Sequence, residues 1–113
     1  MHELSIALSI LKTAEEEVKK VSGKLVSEIH LEIGKVSGVV TEALLFVWPQ
    51  CTQETVLHHS KVIIEETDGK AKCIECGNEF YIENLFDDCP ECASPFKEII
   101  KGNELKIRKL IIQ

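Results

Sequence analysis

No stretch of this 113-residue chain is apolar over the roughly 20 residues that a membrane-crossing helix needs. The first residues also lack a secretory pattern. His2 and Glu3 stand where a basic region would be, and Ser5 and Ser9 interrupt the apolar positions. Basic excess is missing as well. The formal charge is −6, whereas a nucleic-acid binder needs a positive surface to displace counterions from phosphates. Aromatics make up 5% of the residues and prolines number three. The chain shows no internal repeat apart from a duplicated cysteine pattern, and no low-complexity segment. These absences leave a cytoplasmic globular protein with no membrane segment and no nucleic-acid partner as the expectation.

The charge is concentrated in one place. Between Asp68 and Glu98, eight acids (Asp68, Glu75, Glu79, Glu83, Asp87, Asp88, Glu91, Glu98) face three lysines (Lys70, Lys72, Lys97). The remainder is close to neutral. The same segment holds four of the five cysteines, as Cys73-Ile-Glu-Cys76 and Cys89-Pro-Glu-Cys92, with twelve residues between the pairs. In a chain without a secretion signal, this spacing indicates metal ligation and not disulfides. Two CxxC turns joined by a hairpin place four thiolates on one tetrahedral zinc, and a closed shell of that kind is structural, with no open position for catalysis. Rubredoxin-like iron and a redox dithiol are the rival uses of such cysteines. About thirty residues bury too little apolar surface to fold alone, so the metal supplies what the core cannot. Gly77 follows the first pair and Ala93 the second; a positive φ at position 93 costs an alanine about 1 kcal/mol.

Outside this segment the pattern is that of an α+β domain. Leu4, Ala7, Leu8, Leu11, Ala14, Val18 and Val21 recur at helical spacing, with Gly23 placed for a left-handed C-terminal cap. From Ser27 to Ile33 polar and apolar residues alternate, which predicts a strand with Ile29, Leu31 and Ile33 on its inner face. A second helix is expected from an N-cap at Thr41 through Trp48, kinked or ended by Pro49. Val62–Ile64 and Leu105–Ile112 read as strands, Asp68-Gly69 and Gly102-Asn103 as turns, and Phe80-Tyr81-Ile82 as a short strand with an exposed Phe80/Tyr81 surface. The fold expected is therefore a small mixed sheet with two helices over 1–67 and 101–113, into which a zinc-ribbon (rubredoxin-like) module spanning 68–100 is inserted.

The chain starts Met1-His2-Glu3. The Met1 amine, the His2 backbone nitrogen and the His2 imidazole can form fused chelate rings, and the Glu3 amide nitrogen can complete a square. That geometry suits Ni(II) or Cu(II). Residues 1–3 are expected to precede the first helix and to support no core. His30 is read as an exposed residue on the polar strand face and Cys51 as a buried apolar thiol; in a strand the His58 and His59 rings would point to opposite faces, so His58-His59 is read as a surface loop, with an auxiliary nickel role the alternative. A Cys51/His58 nucleophilic pair has no accompanying oxyanion-hole motif.

With Met1-His2-Glu3-Leu4-Ser5-Ile6 at its start, the sequence resembles the HypA/HybF family of hydrogenase nickel-incorporation proteins. The likeness continues at Leu31-Glu32-Ile33-Gly34, Ser37-Gly38-Val39 and Glu42-Ala43-Leu44-Leu45-Phe46, then through both CxxC pairs to Gly102-Asn103-Glu104-Leu105. The resemblance implies a non-enzymatic nickel carrier with nickel bound through His2, assisted by the backbone nitrogens of Met1, His2 and Glu3. It implies zinc at Cys73, Cys76, Cys89 and Cys92. It also implies delivery to the large subunit of [NiFe]-hydrogenase beside a HypB-like GTPase, with urease maturation a second client of some members. The sequence departs from the family at Val40-Thr41, where many members carry Glu-Pro, and at Ala93, where glycine is common. A zinc-ribbon adaptor between proteins, without nickel, is the competing function. The oligomeric state, monomer or homodimer, is not legible in the sequence.

Overall fold

The computed structural model describes residues 2–113. Two helices and six strands follow one another as α1 (Glu3–Lys20), β1 (Val26–Gly34), α2 (Thr41–Thr52), β2 (Lys61–Thr67), β3 (Gly69–Cys73), β4 (Glu79–Ile82), β5 (Lys97–Lys101) and β6 (Leu105–Ile112). The chain is α+β, and its contacts fall into two compact units. The first comprises the chain up to Leu31, Val39–Glu65 and Lys106–Gln113; the second comprises Glu32–Gly38 and Glu66–Leu105.

In the first unit α1 buries Ala7, Ile10, Leu11, Ala14 and Val18; of the expected stripe Ala7, Leu11, Ala14 and Val18 are buried, while Leu4, Leu8 and Val21 are exposed and Ile10 takes a place in the core. Its C-terminus closes as a Schellman motif: Gly23 N–H donates to the Val18 carbonyl at 2.9 Å and Ser22 N–H to the Lys19 carbonyl at 3.1 Å. The left-handed residue is Ser22, at φ 54°, and not Gly23 as expected. Gly23 answers a different need, because a Cβ there would strike the Ile112 side chain.

The α2 helix starts one residue from where the sequence places its cap. Val40 is the N-cap and makes no side-chain capping bond, so Thr41 is the first helical residue. Pro49 does not end the helix, which runs on to Thr52. The proline deletes one hydrogen bond of the ladder, from position 49 to Leu45. Burial at i, i+4 and i+8 (Leu44, Trp48 and Thr52) holds the turn that follows. Buried Thr52 satisfies its hydroxyl on the Trp48 carbonyl at 2.9 Å. Leu45 and Phe46 fall off that stripe, and Phe46 is 76% exposed.

One three-stranded sheet has the order β2-β1-β6. Its ladder is mixed. Leu25 exchanges both backbone bonds with Gln113, and Gly34 N–H reaches the Glu104 carbonyl, so β1 and β6 run antiparallel. Val26 N–H meets the Val56 carbonyl just before β2, and Lys35 N–H meets Thr67 at its end, so β1 and β2 ascend together, as a helical crossover requires. Ile29, Leu31 and Ile33 are all buried.

The second unit is built on an antiparallel sheet of order β4-β3-β5. Gly69 pairs with Ile82 and Ala71 with Phe80 on one side; Ala71 pairs with Ile99 on the other, after a bulge at Lys70/Ala71. The inner face carries Ala71, Cys73, Phe80 and Ile82, which pack with Val36, Cys89 and Ile99. Val36 is thus the reason that Glu32–Gly38 groups with the cysteines. Phe80 belongs to this core, 8% exposed, while Tyr81 on the outer face is 67% exposed; the expected exposed Phe80/Tyr81 surface reduces to Tyr81. The phenol ring lies 5.6 Å from Lys70 Nζ and 5.9 Å from Lys101 Nζ. Asp68-Gly69 is not a hairpin turn, because Gly69 already belongs to β3. Gly102, at φ 105°, lies against Gly69, and a Cβ on Gly34 would collide with the Gly102 carbonyl. Glycine at these positions lets three backbone segments touch.

Candidate metal centre

The two CxxC pairs fold into matching knuckles. Cys73 N–H donates to the Asn78 carbonyl at 2.8 Å, and Gly77 N–H returns to the Cys73 carbonyl at 3.0 Å. In the second knuckle Cys89 N–H donates to Ser94 at 3.0 Å, and Ala93 N–H returns to Cys89 at 2.8 Å. Both returning residues take a positive φ, 79° at Gly77 and 61° at Ala93. The first knuckle hangs from the end of β3 and the second lies in the loop between β4 and β5. Hairpin register therefore brings them together.

The result is a cluster in which the sulfurs of Cys73, Cys76, Cys89 and Cys92 all lie within 4.8 Å of one another. The shortest separations run between the knuckles, 3.5 Å for Cys73–Cys92 and 3.6 Å for Cys76–Cys89. A disulfide needs about 2.05 Å, so none is formed. Sulfurs on a tetrahedral ion with bonds of about 2.3 Å lie about 3.8 Å apart, and the donor set fits such an ion. Cys76 N–H points at the Cys73 sulfur at 3.5 Å, and the Asn78 side-chain amide at the Cys89 sulfur at 3.9 Å. These donors stabilise thiolate charge and orient the ligands.

The thiols titrate unequally. Burial resists ionisation of Cys89, yet the backbone N–H groups of Cys92 and Glu91, together with the Cys76 and Cys92 thiols, bring it down to about 6. The Ser94 amide favours ionised Cys92, but the Cys73 thiol, burial, and the Cys76 and Cys89 thiols push it up to about 12. Cys73 is lowered, chiefly by the Cys76 N–H. Cys76 is raised: the Asn78 N–H is outweighed by burial and by Cys89 and Cys73. Two thiols ionise readily and two resist, because each thiolate that forms disfavours the next in the same cluster.

At the other candidate site His2 is exposed and serves as the N-cap of α1, with no side-chain capping bond. Met1, whose amine was expected to join the chelate, lies outside the described residues. The α1 ladder begins where Ile6 N–H meets the His2 carbonyl at 2.9 Å. Contrary to expectation, Glu3 does not precede the helix. It is the first helical residue, 5% exposed, and its carboxylate accepts the Val40 N–H at 3.0 Å. A carboxylate at the start of α2 also complements that helix's positive end. No local signal pointed to this contact, since a Glu in a first turn is ordinarily solvated.

The remaining candidates disperse. His30 is not simply exposed: its ring Nε2 lies 3.1 Å from Glu28 Oε1 on the same strand face. Cys51 is half-buried in α2. His58 and His59 are exposed in a turn, as expected, and their rings stack with centroids 4.2 Å apart. Among the described residues the four cysteines are the one group of three or more metal-ligating side chains that meet. No helix among them is long and apolar enough to cross a membrane.

Set beside known proteins, residues 1–112 match the family described as "Hydrogenase/urease nickel incorporation, metallochaperone, hypA". The chain is 36% identical over 113 residues to a hydrogenase maturation factor HypA from Geobacter metallireducens, covering 100% of both chains. It is 35% identical over 112 residues to one from Chlorobium luteolum, covering 99% of this chain and 96% of that one. In fold it is similar to the solution structure of the Ni metallochaperone HypA from Helicobacter pylori, with a TM-score of 0.73 at 23% identity over 99% of this chain and 97% of that one.

Two outcomes follow from the knuckles. Replacing Ala93 with glycine removes left-handed strain and raises stability of the cysteine unit by about 1 kcal/mol, read as slower metal loss to a competing chelator; unchanged or faster loss refutes the strain. Because Cys76 and Cys92 hold their protons near neutrality, reloading chelator-stripped protein with Zn(II) releases protons, and retention falls as pH falls. Calorimetry in buffers of different ionisation enthalpy measures the release, and buffer-independent heats contradict it.

Proposed function

This chain belongs to the HypA family of hydrogenase/urease nickel-incorporation metallochaperones, and from that premise we propose that it carries nickel on its N-terminus and holds its shape with zinc. The nickel ion is cargo, taken by the His2 imidazole, the Met1 amine and the backbone nitrogens of His2 and Glu3. The observation that carries this reading is the start of the α1 ladder. Its first bond runs from Ile6 N–H to the His2 carbonyl, so the amide nitrogens of His2 and Glu3 stand upstream of it. An ion can use them without breaking a helical hydrogen bond. Glu3 keeps its place by binding Val40 N–H through its side chain, and the residue before it, His2, is exposed. Nitrogen donors in a square suit Ni(II).

Zinc is the resident ion of Cys73, Cys76, Cys89 and Cys92, where four thiolates close the shell and leave catalysis no open position. In this reading 1–67 with 101–113 act as the nickel-binding domain and 68–100 as the zinc module. The chain works in the cytoplasm and is not itself an enzyme. It hands nickel to the maturation of [NiFe]-hydrogenase, at the large subunit and beside a HypB-like GTPase, with urease maturation proteins as a second destination. The family's description, which names both hydrogenase and urease, supports that pair of clients.

Two different changes have one effect. His2→Ala removes the imidazole; a short peptide fused before Met1 turns the amine into an amide. Each abolishes the tightest nickel step in titrations of tag-free protein, while zinc content and far-UV circular dichroism stay as in the parent, since Glu3 and the α1 ladder are untouched. Parental nickel affinity in the His2→Ala protein sinks the site. It would favour an adaptor built on the cysteine module. Parental affinity in the extended protein alone removes the amine and keeps His2.

A further inference from the structure

The turn between α2 and β2 is firmly built. Thr55 N–H donates to the Thr52 carbonyl, His58 N–H to Thr55 and Ser60 N–H to Leu57, each at 3.1 Å. Leu57 is 1% exposed, and the Ser60 hydroxyl donates to the Val26 carbonyl. On this frame His58 and His59 project into solvent with their rings stacked, centroids 4.2 Å apart and planes 20° from parallel.

We propose that His58 and His59 form a second cation site, which takes a borderline divalent ion of the Ni(II) class through one nitrogen of each imidazole, with water completing the shell. Bonds of about 2.0–2.1 Å to both rings bring the two donor nitrogens to about 3 Å. Because each donor lone pair lies in its own ring plane, the two rings must leave their near-parallel stack and open toward one ion by rotation about χ1 and about χ2, a broad and soft torsion in histidine. The turn has already fixed the backbone, so much of the ordering cost of assembling two ligands is absent. Imidazole selects nickel, copper and zinc over magnesium and calcium.

This site is independent of the N-terminus. The 12 residues of α2 separate it from the Glu3–Val40 contact, about 18 Å at about 1.5 Å per residue. One ion cannot span both sites. Two neutral nitrogens without fused chelate rings bind more weakly than the N-terminal set, so the pair fills second. The proposal rests on two adjacent, exposed imidazoles on a hydrogen-bonded turn and stands whether or not His2 holds nickel.

The test is a Ni(II) titration of tag-free, zinc-loaded protein, followed by calorimetry and by imidazole NMR. Beyond the first equivalent, paramagnetic broadening reaches the ring signals of His58 and His59, and Mg(II) at the same concentration leaves them unchanged. The His58→Gln/His59→Gln double variant keeps the first step at parental affinity and loses the second. Sharp ring signals at excess nickel, equal response to Mg(II), or a second step that persists in the double variant each overturn the proposal. A single nickel step in the parent, lost in the double variant, leaves this site standing and refutes the N-terminal one.

Discussion

Four sulfurs within 4.8 Å of one another cannot all carry charge unless a cation lies among them, and the architecture of the second unit follows from that. Its apolar interior is slight: Val36, Ala71, Phe80, Ile82 and Ile99 surround two of the cysteines themselves. So small a core does not offset the entropy of ordering its chain. The matched knuckles, with their N–H groups and positive-φ residues, are worth their strain only when the thiols are ionised together. The division of those thiols into two that ionise easily and two that resist is the electrostatic form of the same constraint.

The first unit meets a different requirement. A nickel carrier must offer donors without dismantling itself when they are used. Here the core of α1 begins at Ala7, while the end of the helix is fixed by a side chain, through the Glu3 carboxylate on Val40 N–H. On the proposed reading, position is thereby separated from ligation. The side chain of residue 3 anchors, and the side chain of residue 2 is exposed. The family departure at Val40 costs nothing to this anchor, because the contact uses the backbone of residue 40 and not its side chain.

Much of this was legible in the residues. The spacing of Cys73, Cys76, Cys89 and Cys92 foretold the cluster, and the alternation of Ile29, Leu31 and Ile33 foretold the buried face of β1. Ala93 was recognisable as a strained position from its equivalence to Gly77. What sequence could not show depended on tertiary context. The strands β3 and β5 are lysine-rich and short, and their pairing is imposed by the hairpin that closes on the cysteines. Phe80 and Tyr81 are chemically alike, and only the register with Ala71 and Lys70 decides which is buried. Glu3 looked solvated because its partner lies 37 residues away. Pro49 looked like a terminator because the burial of Trp48 and Thr52 that carries α2 past it has no local signature.

On the proposed reading, two metals in one small chain are kept apart by the chemistry of their donors: soft thiolates for zinc, imidazole and backbone nitrogens for nickel. X-ray absorption at both edges, on protein holding one equivalent of each metal, reads that sorting directly. Zinc should show four sulfurs at about 2.3 Å, and nickel a shell of nitrogen and oxygen alone that loses its imidazole scattering in His2→Ala. Sulfur in the nickel shell, or nitrogen in place of sulfur at zinc, would contradict it.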